Sequence, residues 1–505
     1  MISFKKFKIL KENEENQNNT PPSNNKEWRK SFIKLEKGFV PPSKMVPIIE
    51  AFLKSGDIKL TNDTAKAVTM PKKTLFLVGG PVRDFLLNKT IKDYDLASNA
   101  TPEQIAHILS NSGFKMADDR SGKSGKPMNL GFSPEPAQRG DKKYWFIKGR
   151  DASQDGKAFV ISAVVDNEEF EIATFRKDAK VVDGNASVDF VDNPNDDASR
   201  RDLTINSLYI ELSKPDGEND KLFDPTGKGY HDVKNSVVRT VGKADDRFEE
   251  DKLRILRAIR FHCRFGGGPI MDKDIEKSIP KFAHMDGVAL ERIKDEFVKG
   301  LMHPDIDVKK YITIYKRTGL LNKVFPGVHV EPAMSVPANF SGKKDKPLAL
   351  AWLLQNNDIA KVEEVLSPSR NVNGESKQTG WTLEEKRTVL FLLRLKDFDP
   401  NRIHEFLRMR QGIMLTDQQI RDWVEMFKSE HPHGKPVWSK HMQAFSQYRP
   451  TAKWDDVVKT GKDICSNCRG MGCPLCDNGK VKPEMRSSVI ANMEKDNFSK
   501  HLNNY

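Results

Sequence analysis

At 505 residues the chain is long enough for about three or four domains, which excludes a peptide or a small cross-linked scaffold. Its 83 Lys and Arg against 71 Asp and Glu leave a net charge of +12, a balance that favours a polyanionic partner, nucleic acid first. Hydrophobic residues at 37% never run unbroken for the roughly 20 positions a membrane helix needs, and Met1 to Lys11 lacks a secretory apolar region, so a soluble cytoplasmic chain with no membrane partner is expected.

Residues 1–45 read as a flexible N-terminal tail, because NEENQNNTPPSNN is polar and carries almost no large apolar group to offset the entropy of ordering. The texture changes at Thr74: TLFLV is a short apolar run ending in Gly79-Gly80, and Val82, Phe85 and Leu86 then recur at helical spacing. This predicts strand, turn and helix. A second strand is expected around Tyr94 to Leu96, and a third where Phe170, Ile172 and Thr174 alternate with Glu169, Glu171 and Ala173. Between Phe114 and Lys157 the Gly-, Ser-, Lys- and Asp-rich sequence reads as a long loop or insertion. From Arg247 onward the patterns are helical, with Leu253, Leu256 and Ile259 on one stripe and similar spacing in VALERIKDEFVKGL and IHEFLRMR.

Chemistry concentrates in four places. Gly79-Gly80-Pro81-Val82-Arg83-Asp84 combines glycines that let backbone approach a phosphate with a Pro suited to the first helical position, so a triphosphate fits there. If Asp93 and Asp95 lie on a strand, the period of two puts both carboxylates on one face, where hard oxygens can hold Mg²⁺. In Arg200-Arg201-Asp202 the guanidinium groups suit phosphate, while Asp202 can accept from a ribose hydroxyl or cap the helix that Leu203 begins. Asp251, Arg254, Arg257 and Arg260 recur every third residue on a predicted helix. An Asp that only accepts beside an Arg that only donates matches the amino donor and ring-nitrogen acceptor of cytosine and adenine, and mismatches uracil and guanine. An ion pair on a solvated helix is the competing meaning of that spacing.

Of five cysteines, Cys465, Cys468, Cys473 and Cys476 form CxxC-x4-CxxC, four soft ligands for a structural, tetrahedral Zn²⁺. Cys263 reads as a packed helix residue, and the compartment as reducing. His231-Asp232, in a turn before a basic strand, reads as structural, and His431-Pro-His433 is a weak signal.

The blocks GGPVRDFLL, KDYDLASNATPEQ, EIATFR, RRDLTINSL, FDPTGKGYHDVKNSVVRTVG, RFEEDKLRILRAIRFHCRFG and LERIKDEF occur in the order found in class II CCA-adding enzymes and bacterial poly(A) polymerases. The resemblance covers roughly residues 74 to 330. It implies a polymerase-β-like α/β nucleotidyltransferase head over 46–215 with an insertion at 114–157. A helical neck for nucleotide recognition would follow over 216–330, then a helical body over 331–435 and a basic C-terminal segment with a zinc knuckle over 436–505. It also implies that Asp93 and Asp95 are catalytic metal ligands, with Glu171 a candidate third carboxylate, and that Gly79, Gly80 and Arg83 form the triphosphate turn. Arg200, Arg201 and Asp202 become ribose and triphosphate contacts, and the Asp251–Arg254 block the protein template for the incoming base. The expected activity is addition of C and A to a tRNA 3′ end from CTP, ATP and Mg²⁺, releasing pyrophosphate. A poly(A) polymerase acting on RNA 3′ ends is the alternative, and a non-catalytic RNA-binding protein a reading of a different class. The cysteine segment resembles half of the DnaJ cysteine-rich repeat and is not a usual part of the family.

Overall fold

In this computed structural model the described residues run from 32 to 410, apart from 62–66, 118–129, 152–156, 266–269, 331–345, 371–375, 396–402 and a few shorter stretches. Beyond 410 they comprise short pieces and a helix, Arg486–Leu502. They divide into two compact units, residues 1–282 and 283–505.

The first unit is built on a mixed sheet with nine described strands: β1 (Phe32–Lys34), β2 (Leu75–Val78), β3 (Asp95–Ser98), β4 (Lys115–Met116), β5 (Lys143–Asp151), β6 (Lys157–Val165), β7 (Glu168–Thr174), β8 (Tyr209–Glu211) and β9 (Lys221–Phe223). Their spatial order is β1-β9-β8-β2-β3-β7-β6-β5-β4. Every residue of β2 is buried, as a central strand requires, and it runs antiparallel to both β8 and β3. β3 pairs parallel with β7, with Asp95 opposite Glu171. Phe170, Ile172 and Thr174 of β7 are buried while Glu169 and Glu171 face solvent, the alternation read from sequence. Phe76, Val78, Ala97, Phe175, Tyr209 and Phe223 form one apolar cluster across the centre.

Two stretches differ from expectation. Residues 32–45, assigned to the tail, supply edge strand β1, whose Phe32 lies 5.4 Å from Phe223 of β9, and bury Phe39 and Met45. Three residues are too short to register as a strand until a partner edge pairs with them. The segment 114–157, read as a loop, contains β4 and β5; Trp145, Phe146 and Ile147 are buried where β5 pairs with β6.

Helices that place the site are α1 (Val46–Leu53), α2 (Gly80–Leu86), α3 (Pro102–Asn111), α4 (Pro194–Ser199), α5 (Gly229–Lys234), α6 (Ala244–Glu250), α7 (Leu253–Arg264) and α8 (Lys273–Phe282). A capping box between Thr101 and Gln104 starts α3. In α7, Leu256 and Ile259 of the anticipated stripe are fully buried, and Cys263 is buried as well.

The second unit is helical, as its periodicity indicated, beginning with α9 (Leu290–Leu301) and α10 (Val308–Arg317) and including IHEFLRMR as Ile403–Arg410. Its core gathers Phe297, Tyr311, Tyr315 and Phe325, and Trp381 stacks on Phe325 at 5.8 Å. No helix among the described residues is long and apolar enough to cross a membrane.

Candidate active site

The turn after β2 brings together the first predicted cluster. Gly79 has φ +74° and ψ −125°, a conformation closed to residues with a side chain, and a Cβ there would lie 3.2 Å from a terminal nitrogen of Arg201. Gly80 and Pro81 open α2. Arg83, expected to reach a triphosphate, is instead buried: its Nη1 donates to Asn206 Oδ1 at 2.6 Å, its Nε and Nη2 to Asp84, and its guanidinium lies 4.8 Å from the Phe261 ring centre. Burial lowers its pKa to about 10 despite the Asp84 carboxylate. Asp84 also accepts from Arg264 at 3.3 Å, so Arg83 and Asp84 fasten the turn to Asn206 and to α7. What the turn itself leaves for an anion is its backbone.

Asp95 is the first residue of β3, and Asp93 sits in the bend before it, so the pair flanks a strand start without sharing a strand. The Asp95 carboxylate reaches solvent, yet loss of surrounding water raises its pKa, with the charges of Glu171 and Asp93 adding to this and Arg201 opposing it. Negative charge in excess of nearby cations, on hard oxygen donors, is the environment a divalent ion relieves. Glu171 stands beside Asp95 in register, but its carboxylate is engaged by Lys148 Nζ at 2.6 Å. Among the described residues no three His, Cys, Asp or Glu side chains converge as a preformed metal cluster. Two carboxylates suffice for magnesium that completes its shell with water and substrate phosphate.

The block after α4 is organised by a residue the sequence reading missed. Asp197, with a side chain 1% exposed, accepts from Arg200 at 3.0 and 2.6 Å, from Arg201 at 3.3 and 3.1 Å and from the Tyr209 hydroxyl at 2.7 Å. Burial alone would raise its carboxyl, but Arg201 and Arg200 hold it below the usual range. Its spacing three and four residues before the arginines was the available signal. Asp202, weighed as a ribose contact or a cap, accepts from Leu203 N at 2.8 Å and from Arg257 Nε at 2.6 Å. Burial pushes the Asp202 carboxyl up, and Arg257 more than offsets that, leaving it ionised.

Helices α6 and α7 are tied to this block. Arg247 donates to Ser199 O at 2.7 Å and Arg254 to Arg200 O at 2.9 Å, alongside the Arg257–Asp202 pair. The four residues expected on one helix do not all lie there: α6 ends at Glu250, and Asp251 has extended backbone at the junction, φ −151° and ψ 103°. Helix α7 begins two residues later, and Asp251 Oδ1 accepts from Leu253 N at 3.0 Å. Arg254 in the first turn also pairs with Glu250 at 2.8 Å. Asp251 and Arg254 thus flank a helix start, while Arg257 points to Asp202 and the Arg260 guanidinium lies 4.5 Å from the Phe261 ring centre.

Asp232 is fully buried and accepts from Thr204 Oγ1 at 2.7 Å and Arg239 Nε at 3.0 Å, which gives Asp232 a structural role, while the His231 side chain is exposed. Cys465, Cys468, Cys473, Cys476, His431 and His433 lie outside the described residues.

The model of the poly A polymerase head domain family matches residues 75–129 and 143–239. A CCA-adding enzyme of Oceanobacillus iheyensis is 31% identical over 391 residues, 76% of this chain and 73% of that enzyme. One of Lactobacillus johnsonii is 29% identical, covering 70% of this chain and 67% of its own length, and the human mitochondrial CCA tRNA nucleotidyltransferase 1 is 31% identical over 63% and 62%. Among solved structures, the Bacillus stearothermophilus CCA-adding enzyme in complex with CTP shares the fold with a TM-score of 0.53 and 20% identity, covering 91% of this chain and 96% of that one.

Proposed function

Because the chain belongs to the class II family of CCA-adding enzymes and poly(A) polymerases, we propose that it adds C and A to the 3′ end of tRNA, using CTP and ATP and releasing pyrophosphate. The observation that carries the reading is the joining of three groups in one unit. The Asp93–Asp95 pair stands at a strand start, the Gly79 turn lies close to an Arg201 terminal nitrogen, and Arg254 and Arg257 bond the start of α7 to the Arg200–Asp202 block. Magnesium held by Asp93 and Asp95 would supply charge neutralisation at the phosphates and a lowered pKa for the attacking hydroxyl.

The chain's own residues do the rest. The glycine turn admits the triphosphate closely, and Asp197 holds Arg200 and Arg201 in fixed orientation toward it. Asp251 and Arg254 read the base edge by accepting and donating, which requires Arg254 to turn from Glu250 and the Arg200 carbonyl to the base, the Arg257–Asp202 pair keeping α7 tied to the block. Asp202, held ionised by Arg257, keeps acceptor capacity for a ribose hydroxyl. The Cys465, Cys468, Cys473 and Cys476 set would hold one structural Zn²⁺.

The test is nucleotide incorporation by Asp93→Ala, Asp95→Ala and the double variant on a tRNA lacking its terminal CCA. Incorporation should vanish while tRNA affinity stays within about twofold, since phosphate binding depends on basic side chains elsewhere. Undiminished incorporation by the double variant would overturn the catalytic assignment of Asp93 and Asp95, whereas tRNA binding with no incorporation by the wild-type chain would favour a non-catalytic RNA-binding protein.

A further inference from the structure

The strands beyond β7 bring a cation to the edge of the acidic site. Asp95 is in register with Glu171, Glu171 with Ser162 and Ser162 with Phe146, so these four stand side by side on one face of the sheet. Lys148 lies two residues past Phe146, where the register of β5 slips between Ile147 and Gly149. Such a bulge re-aims a side chain. Here Lys148 reaches back across Ser162 and its Nζ donates to both Glu171 Oε1 and Glu169 Oε1, each at 2.6 Å. Glu169 is fixed in turn by the Ser162 hydroxyl, which donates to Oε1 at 2.8 Å.

We propose that Lys148 is a positioning residue that acts as the resident counter-cation of Glu171, so that a divalent ion recruiting Glu171 must displace it. Glu169, anchored by Ser162, is where the displaced ammonium stays. The arrangement explains why Glu171, though beside Asp95, is not part of a preformed cluster: its carboxylate is already compensated. It lessens the negative charge of the acidic face before metal and substrate arrive, and makes release of Glu171 part of metal loading. The inference rests on the reading of Asp93 and Asp95 as metal ligands.

The test is direct titration of the full, nucleotide-free chain with Mn²⁺, free ion being counted by electron paramagnetic resonance. The series comprises wild type, Lys148→Met, Lys148→Arg, Glu171→Gln, Lys148→Met with Glu171→Gln, and Asp95→Asn. Removing one ammonium a few ångströms from the site should tighten Mn²⁺ binding about fivefold in Lys148→Met. Lys148→Arg should stay near wild type, and the gain should disappear in the Glu171→Gln background. The Mg²⁺ concentration giving half-maximal nucleotide addition should fall in parallel. Equal or weaker Mn²⁺ binding by Lys148→Met, or a gain that survives loss of Glu171, would overturn the role of Lys148 while leaving the metal reading intact. Mn²⁺ binding unaffected by Asp95→Asn would instead overturn the metal reading, and the inference with it.

Discussion

Asp197→Asn should destabilise the first unit by about 3 kcal/mol. The buried carboxylate receives four guanidinium hydrogen bonds from Arg200 and Arg201 and one from Tyr209. Asparagine removes the charge, halves the acceptors and turns an amide donor toward guanidinium donors. Breaking a buried ion pair from one side costs about 3 to 5 kcal/mol. Arg200 and Arg201 keep 21% and 19% of their side-chain surface exposed, so water recovers part of this and the lower end applies. At about 2 to 4 °C per kcal/mol for a unit of this size, the calorimetric melting transition of the first unit should fall by about 6 to 12 °C. The effect has a sign in pH. A folded pKa held below the unfolded value of about 3.9 gives stability that is present above that pH and lost as pH falls through the folded value. The gap between wild type and variant should therefore be constant from pH 6 to 8 and close toward strong acid. Tyr209→Phe should cost about 1.5 to 3 kcal/mol alone, and less in the Asp197→Asn background. A loss under about 1 kcal/mol, or one that persists unchanged in acid, would mean that Asp197 is not the charged anchor of Arg200 and Arg201.

Asp251→Ala should lose its preference for CTP and ATP over UTP and GTP, at least tens-fold in wild type, more than it loses triphosphate affinity; incorporation of all four nucleotides on one tRNA measures this. Lys294 is buried against the Trp381 ring at 4.8 Å, and desolvation lowers its pKa to about 7. Its unfolded form binds a proton up to about pH 10.4, so folding carries a penalty that is full below pH 7 and fades toward pH 10. Lys294→Met should accordingly raise the melting temperature of the second unit at pH 7 and raise it less at pH 10. Elemental analysis of the freshly purified chain should find one zinc, lost together in the variant lacking Cys473 and Cys476.

What could be read in the sequence was local. GGPVRD announced strand, turn and helix because an apolar run, two glycines and a 3.6-residue spacing meet within a dozen residues. The pairing of Asp95 with Glu171 could not be read, since it depends on which distant strands become neighbours. The spacing of Asp251 continues that of Arg254 and Arg257 and so predicts a single helix. Helix α6 runs up to Glu250, however, and the chain must extend at Asp251 before α7 can start in a new direction. The resemblance assigns Arg83 to the triphosphate turn, and only the tertiary fold supplies the Asn206, Asp84 and Phe261 surroundings that bury it. Lys148 gave no signal, as its contact with Glu171 follows from a register slip within a stretch that reads as a loop.

Stepwise addition on defined RNA ends separates CCA addition from poly(A) synthesis. Transcripts of one tRNA ending before CCA, after C, after CC and after CCA, beside an unstructured RNA, are incubated with each nucleotide in turn and resolved at single-nucleotide length. A CCA-adding chain should place C on the first two and A on the CC end, and should extend neither the complete CCA end nor the unstructured RNA. Long A tails on the unstructured RNA with no C incorporated on any tRNA would contradict CCA addition and establish the poly(A) alternative.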